Sequence, residues 1–135
     1  MERPSWDQYY KNIVNLTAER SVCPRLQVGC LLIKDNRIIS QGYNGYLSGC
    51  PHDPILKDGH NIGTIHAEQN AIVDCAKRGV SSNLCTAFIT HYPCFNCFKL
   101  LVAAGIEEIK YCNDYNNDPE VKNLSEKINF NIKKI

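Results

Sequence analysis

No stretch of this sequence reaches the eighteen consecutive apolar residues that a bilayer-crossing helix needs, which excludes a membrane-spanning reading. A surplus of one charge is also missing, since 15 basic residues stand against 14 acidic ones. That balance removes the positive field by which proteins grip the phosphates of long nucleic acids, and with it a nucleic-acid partner. The start, Met1 to Asp7, carries neither a basic leader nor a hydrophobic region for secretion, so the expected location is the cytosol. The Asn15-Leu16-Thr17 and Asn123-Leu124-Ser125 sequons matter only in a secretory compartment and are discounted. What remains is a small-molecule partner and, at 135 residues, one domain over residues 1–135.

Cysteine, by contrast, is plentiful, with eight in the chain. A disulfide scaffold is one reading of that number, but Cys30, Cys75, Cys85 and Cys112 sit inside apolar segments and read as small buried hydrophobes. Cys23, Cys50, Cys94 and Cys97 lie in or beside loop signals and are the candidates for metal chemistry.

Periodicity outlines the elements. Ser5 is an N-cap candidate, and Trp6, Tyr9, Tyr10, Ile13 and Leu16 recur at helical spacing, predicting a helix from about Trp6 to Arg20. Residues 26–33 and 37–41 form a hairpin turned by Lys34-Asp35-Asn36. Residues 42–63, rich in Gly, Pro, Asn and Asp, read as a long irregular loop. A second helix spans 66–78 with Ile72, Cys75 and Ala76 inward and Gly79 as its C′ residue, and a buried strand covers 85–90. Pro93 suits the first turn of a third helix, whose apolar face includes Leu100, Leu101 and Ala104 and which ends at Gly105. Another strand follows at 106–112, and the polar tail 119–135, with spaced Val121, Leu124, Ile128 and Ile132, accommodates a last helix and a short strand. The alternation predicts an α/β sandwich with right-handed middle crossovers.

Chemistry concentrates in two short segments. Cys94 and Cys97, an i, i+3 pair, share one face of a first helical turn and can clamp a single ion. His66 and Glu68 are an i, i+2 pair, which diverges on a regular helix, so His66 belongs at or just before a helix start. Two helix amino ends then converge, and their dipoles favour thiolates beside a zinc ion. One histidine and two thiolates leave the fourth tetrahedral position to water, whose pKa falls from about 15.7 to near 7 on such a metal. Glu68 is placed to move that water's protons without being a ligand. A lone His-x-Glu or Cys-x-x-Cys is weak and commonly structural. His-x-Glu opening one helix and Pro-Cys-x-x-Cys opening the next is the signature of zinc-dependent nucleobase deaminases.

His66-Ala67-Glu68-Gln69-Asn70-Ala71-Ile72 and the run from Thr90 to Cys97 resemble the deoxycytidylate deaminase family of the cytidine deaminase-like fold. Further similarity lies at Gln27–Gly29, Gly42–Gly45, Ala76–Val80, Ala104–Ile106 and the start from Ser5; it fades beyond Asn117, so 117–135 reads as a C-terminal extension. The resemblance implies a three-layer α/β/α sandwich around a mixed sheet of about five strands. It also implies hydrolysis of dCMP to dUMP and ammonia, with zinc on His66, Cys94 and Cys97 and Glu68 relaying protons. By the same resemblance the Ala67 backbone amide contacts the base and Asn44 the sugar; as alternatives, Asn44 is a turn residue and Ala67 is packing. Arg25 matches a basic position that neutralises the 5′-phosphate, its alternative being a solvated loop charge. Tyr92 stands where relatives often carry serine and reshapes the phosphate end of the pocket.

Cys23, Cys50, His52 and His60 offer nitrogen and sulfur donors for a second, structural zinc that would pin the long loop; free cytosolic thiols are the alternative. The family implies dCTP as activator, dTTP as inhibitor, and dimers or hexamers. The regulatory loop reads Tyr46 to Pro51 here and is shorter than in many members. Competing readings are a dual dCMP/dCTP deaminase, another cytosine nucleoside or nucleotide deaminase, and a zinc-stabilised binding module, against which Glu68 argues because a structural site has no use for an unliganded carboxylate. The Asn-, Lys- and Ile-rich tail fits an AT-rich genome, viral or bacterial, the former implying a host cytoplasm.

Overall fold

A computed structural model describes residues 2–135. Helix α1 (Trp6–Ala18) is followed by β1 (Gly29–Lys34) and β2 (Arg37–Tyr43), then by the two-residue strands β3 (Gly45–Tyr46), β4 (Leu56–Lys57), β5 (His60–Asn61) and β6 (Thr64–Ile65). Helix α2 (Ala67–Arg78), β7 (Thr86–His91), α3 (Phe95–Ala103), β8 (Glu108–Asn113), α4 (Pro119–Lys127) and β9 (Asn131–Lys134) complete the chain. No helix among the described residues is long and apolar enough to cross a membrane.

Five strands form one mixed sheet in the order β2-β1-β7-β8-β9. β1 is antiparallel to both β2 and β7, whereas β7-β8 and β8-β9 are parallel. The β1–β2 connection is the expected tight turn: Asp35 and Asn36 adopt φ of 52° and 57°, the left-handed region that such a turn demands and that these two residue types tolerate.

Side-chain alternation along the strands builds the layers. Leu31, Ile33, Phe88 and Cys112 face α1, where Tyr10 and Val14 cover them. Cys30, Leu32, Ala87, Ile89 and Ile109 face the opposite way and pack under Ala67, Ala71 and Cys75 of α2, Phe98 and Leu101 of α3, and Val121 of α4. The result is the three-layer α/β/α sandwich. The side chains of Leu31, Leu32, Ile89, Leu101 and Ile109 are fully buried, each contributing about 1.5–3 kcal/mol. Cys30, Cys75, Cys85 and Cys112 are buried free thiols, as their apolar settings predict.

Helix faces depart from expectation in detail. In α2 the inward stripe is Ala67, Ala71 and Cys75, spaced i, i+4, i+8, while Ala76 is exposed and Ile72 half-buried. Small residues are required there because α2 rides directly on β2: a Cβ on Gly42 would stand 2.5 Å from the Ala67 carbonyl oxygen and 2.6 Å from the Ala71 nitrogen. In α3 the inward residues are Cys97, Phe98 and Leu101, which turns Leu100 onto an exposed flank and leaves Ala104 past the helix end. Pro93 is not in the first turn; it precedes the N-cap, Cys94, whose sulfur accepts the amide hydrogen that opens the helix. Segment 42–63 is not wholly irregular either, since β2 runs into it and short ladders pair β3 with β6 and β4 with β5.

Candidate metal centre

The short β3–β6 ladder delivers the chain to His66, the N-cap of α2, in an extended conformation with φ of −69° and ψ of 155°. This is the geometry that lets an i, i+2 pair converge. Gln69, at the third helical position, accepts the His66 backbone amide at 3.0 Å, half of a capping box that the His66-to-Gln69 spacing makes visible in the sequence. Asn70 Nδ2 donates to the Tyr43 carbonyl at 2.8 Å and ties the helix start to β2. Cys94 caps α3 in the same extended conformation, and its Sγ accepts the Cys97 amide at 3.4 Å.

The two helix starts meet. His66 Nδ1 lies 3.3 Å from Cys97 Sγ and 3.7 Å from Cys94 Sγ, and the three donor atoms all fall within 4.8 Å of one another. A tetrahedral zinc with metal–nitrogen and metal–sulfur bonds of about 2.1 and 2.3 Å requires nitrogen-to-sulfur edges of about 3.6 Å. One imidazole and two thiols at this spacing therefore fit zinc, with Nδ1 as the ligating nitrogen. Cys97 is fully buried and Cys94 exposed, so the cluster opens to solvent on one side only.

Electrostatics differ sharply across the cluster. The Cys97 thiol donates a hydrogen bond that, with help from His66, holds Cys94 down to about 4. Cys97, the donor of that pair and buried, is pushed well above the ordinary thiol range. His66 is raised through its bond to Cys94. Glu68 is the second residue of α2, in its first turn, at 4% exposure; burial, reinforced by the Cys94 charge, lifts its carboxyl from 4.5 to about 7. A carboxyl titrating near neutrality is matched to taking up and returning a proton at physiological pH.

The remaining predicted residues are placed as follows. Ala67 is buried beneath β2. Asn44 accepts the Val28 amide on Oδ1 at 2.8 Å and donates from Nδ2 to the Leu26 carbonyl at 2.9 Å, which pins the segment carrying Arg25. Arg25 is exposed. Tyr92 is packed in the core, edge-on to Tyr111 with ring centroids 4.9 Å apart. His52 stacks on Tyr46 at 5.7 Å, Cys50 and His60 are exposed, and Cys23 is half-buried. Among the described residues, His66, Cys94 and Cys97 form the sole cluster of three potential metal donors, so Cys23, Cys50, His52 and His60 are not brought together. A cavity of about 1230 Å³ lined by Arg3, Trp6, Tyr9, Arg37 and Ile38 touches none of these residues, so cavity size does not locate the chemistry.

Residues 4–113 match the family model described as the cytidine and deoxycytidylate deaminase zinc-binding region. The chain is 40% identical to ComE operon protein 2 of Bacillus subtilis over 139 residues, covering all of this chain and 74% of that protein. It is 35% identical to the deoxycytidylate deaminase of Mycobacterium phage D29 over 126 residues, covering 82% of this chain and 97% of the phage protein. The crystal structure of dCMP deaminase from cyanophage S-TIM5 in complex with dCMP and dUMP superposes with a TM-score of 0.88 at 30% identity, covering 100% of both chains. With that match, and with its imidazole and two thiols gathered at two helix starts, the chain belongs to the zinc-binding cytidine and deoxycytidylate deaminase family.

Proposed function

We propose that this protein hydrolyses the 4-amino group of dCMP to give dUMP and ammonia. The observation that carries this reading is the joint presence of an open three-donor metal cluster and, two residues from one of its ligands, the buried carboxyl of Glu68, in a fold shared with an enzyme crystallised with dCMP and dUMP.

His66 Nδ1, Cys94 Sγ and Cys97 Sγ would hold zinc, which when bound would supply the Lewis acidity that makes a water nucleophilic at neutral pH. Glu68 takes a proton from the attacking water and delivers it to ring N3 as the water oxygen bonds to C4. The second water proton passes through Glu68 to the amine, the C4–N4 bond breaks, and ammonia leaves as the C4 carbonyl forms. The Ala67 amide meets the base. Asn44 has one Nδ2 hydrogen beyond its bond to Leu26, and this is available to a sugar hydroxyl. Arg25 neutralises the 5′-phosphate, and Tyr92 borders that end of the pocket. The reading extends to dCTP as a second substrate, to dCTP and dTTP as effectors acting through loop 46–51, and to a dimer or hexamer; a panel of dCMP, dCTP, CMP and deoxycytidine, with and without effectors, resolves the first two, and the sedimentation mass resolves the third.

The decisive variant is Glu68→Gln. It is expected to lose at least about a thousandfold in turnover, within the range of a positioned acid–base group, while retaining zinc and fold. Turnover within tenfold of wild type in an ammonia-release assay overturns the assignment.

A further inference from the structure

His91 belongs to no role assigned so far, yet its hydrogen bonding is unusually constrained. It is the last residue of β7, three before Cys94, and follows Ala87 and Ile89 on the face of the sheet that carries α2 and α3. Its neighbour Thr90 is buried at 1% exposure. Thr90 Oγ1 accepts the Gly29 amide at 3.1 Å and lies 2.8 Å from His91 Nδ1. Gly29 is a donor, so the buried hydroxyl proton has one place to go, the Nδ1 lone pair. We assign the tautomer from that bond: with Nδ1 accepting, His91 carries its ring hydrogen on Nε2, which has no protein partner among the described residues. The ring is held edge-on by Tyr115 at a centroid distance of 5.9 Å.

The strand register says which part of a ligand this donor faces. β1 and β7 are antiparallel with Cys30 opposite Ile89, so continuing the ladder sets Val28 beside His91. Val28 is the residue whose amide is bound by Asn44, and the segment leading into it carries Arg25. His91 therefore stands at the carboxyl end of β7, which runs parallel to β8, in the place where α/β sheets bind ligands, and next to the Val28 segment that Asn44 holds and that carries Arg25, the residues assigned above to the sugar and the 5′-phosphate.

We propose that His91 is a specificity-determining residue that donates its Nε2 hydrogen to an oxygen of the nucleotide 5′-phosphate, so that the site prefers a monophosphate over the bare nucleoside. This rests on the deaminase reading above, and the test uses product binding so that the two are separable. Calorimetry on zinc-loaded protein compares dUMP with deoxyuridine for wild type, His91→Asn, His91→Phe and His91→Gln. Asparagine keeps a partner for the Thr90 hydroxyl but does not reach the Nε2 position; phenylalanine keeps the ring and its contact with Tyr115; glutamine restores a donor near Nε2.

The expected result is that Asn and Phe weaken dUMP about 10- to 100-fold, the loss of one hydrogen bond to a charged group, leave deoxyuridine within twofold, and leave zinc content unchanged, while Gln recovers most of the dUMP affinity. Equal weakening of both ligands, unchanged dUMP binding in both the Asn and the Phe variants, or no measurable dUMP binding to wild type overturns the proposal. A wild-type protein that binds dUMP but fails to deaminate dCMP sinks the reaction assigned above and leaves the His91 comparison decisive.

Discussion

Replacing Gly42 by alanine is expected to damage the metal centre from a distance. The added methyl would lie 2.5 Å from the Ala67 carbonyl oxygen and 2.6 Å from the Ala71 nitrogen, both of them helix backbone that has no side-chain rotation to offer as relief. Ordinary contact begins at 3.4 Å, so the first turn of α2 must retreat by about 0.9 Å. His66 caps that turn, and a metal site tolerates errors of only about 0.2 Å in ligand distance. Overpacking of this kind costs about 1–3 kcal/mol, or roughly 4–10 °C in Tm for a chain of this length. Zinc affinity is expected to fall by about 10- to 100-fold, as when the support of a ligand is lost. Competition against a chromophoric chelator measures the affinity, and a thermal melt measures the stability. Two controls separate the effects. A Cβ on Gly29 would meet the Val14 carbonyl of α1 at 2.5 Å, so Gly29→Ala should lower Tm and spare zinc; Gly45 has nothing within 4 Å, so Gly45→Ala should do neither. Wild-type zinc affinity in Gly42→Ala, or an equal loss in Gly29→Ala, would refute the claim that β2 sets the position of His66.

Two further outcomes follow from the cluster and from the α2–β2 contact. Cys94→Ser and Cys97→Ser should both abolish zinc retention by metal analysis, but only Cys97→Ser should lower the Tm of chelated protein, because its hydroxyl would be buried whereas serine is a good N-cap at the exposed position 94. The Arg78 guanidinium, 2.6 Å away, holds the Asp74 carboxyl below its usual range, with the Ser40 hydroxyl assisting. A depressed folded pKa gives stability that is present above the unfolded value near 3.8 and lost as pH falls through the folded one, so Asp74→Asn should cost stability at pH 7 and little at pH 2. The pair is partly solvated, which keeps the expected difference below about 1 kcal/mol in denaturant titrations.

Local patterns in the sequence carried much of this architecture. The i, i+2 relation of His66 and Glu68 was enough to place His66 outside the helix proper, and His66 is the N-cap. The Asp35-Asn36 turn and the apolar settings of four cysteines were equally readable, because each depends on neighbours in the chain. What depends on non-local packing was not. Phe98 faces inward and Leu100 outward because of where the sheet and Phe130 lie, 5.5 Å from the Phe98 ring, and no period within α3 states that. Pro93 read as a helix residue because a thiol is an uncommon cap. His91 escaped notice altogether, since its hydrogen bonding runs through Thr90 to Gly29, which lies 61 residues from Thr90 in the chain. The dispersal of Cys23, Cys50, His52 and His60 is likewise a matter of tertiary placement.

The outermost strand, β9, has a bearing on colloidal behaviour. It ends the sheet with one row of amides and carbonyls facing outward, a template on which a second molecule could continue the ladder into a fibril. Lys133 and Lys134 are exposed on that rim, and Lys134 is anchored to Asp114 at 2.7 Å. Any newcomer aligning there must strip water from ammonium groups, so sheet extension is disfavoured at neutral pH and should become easier once the lysines are acetylated.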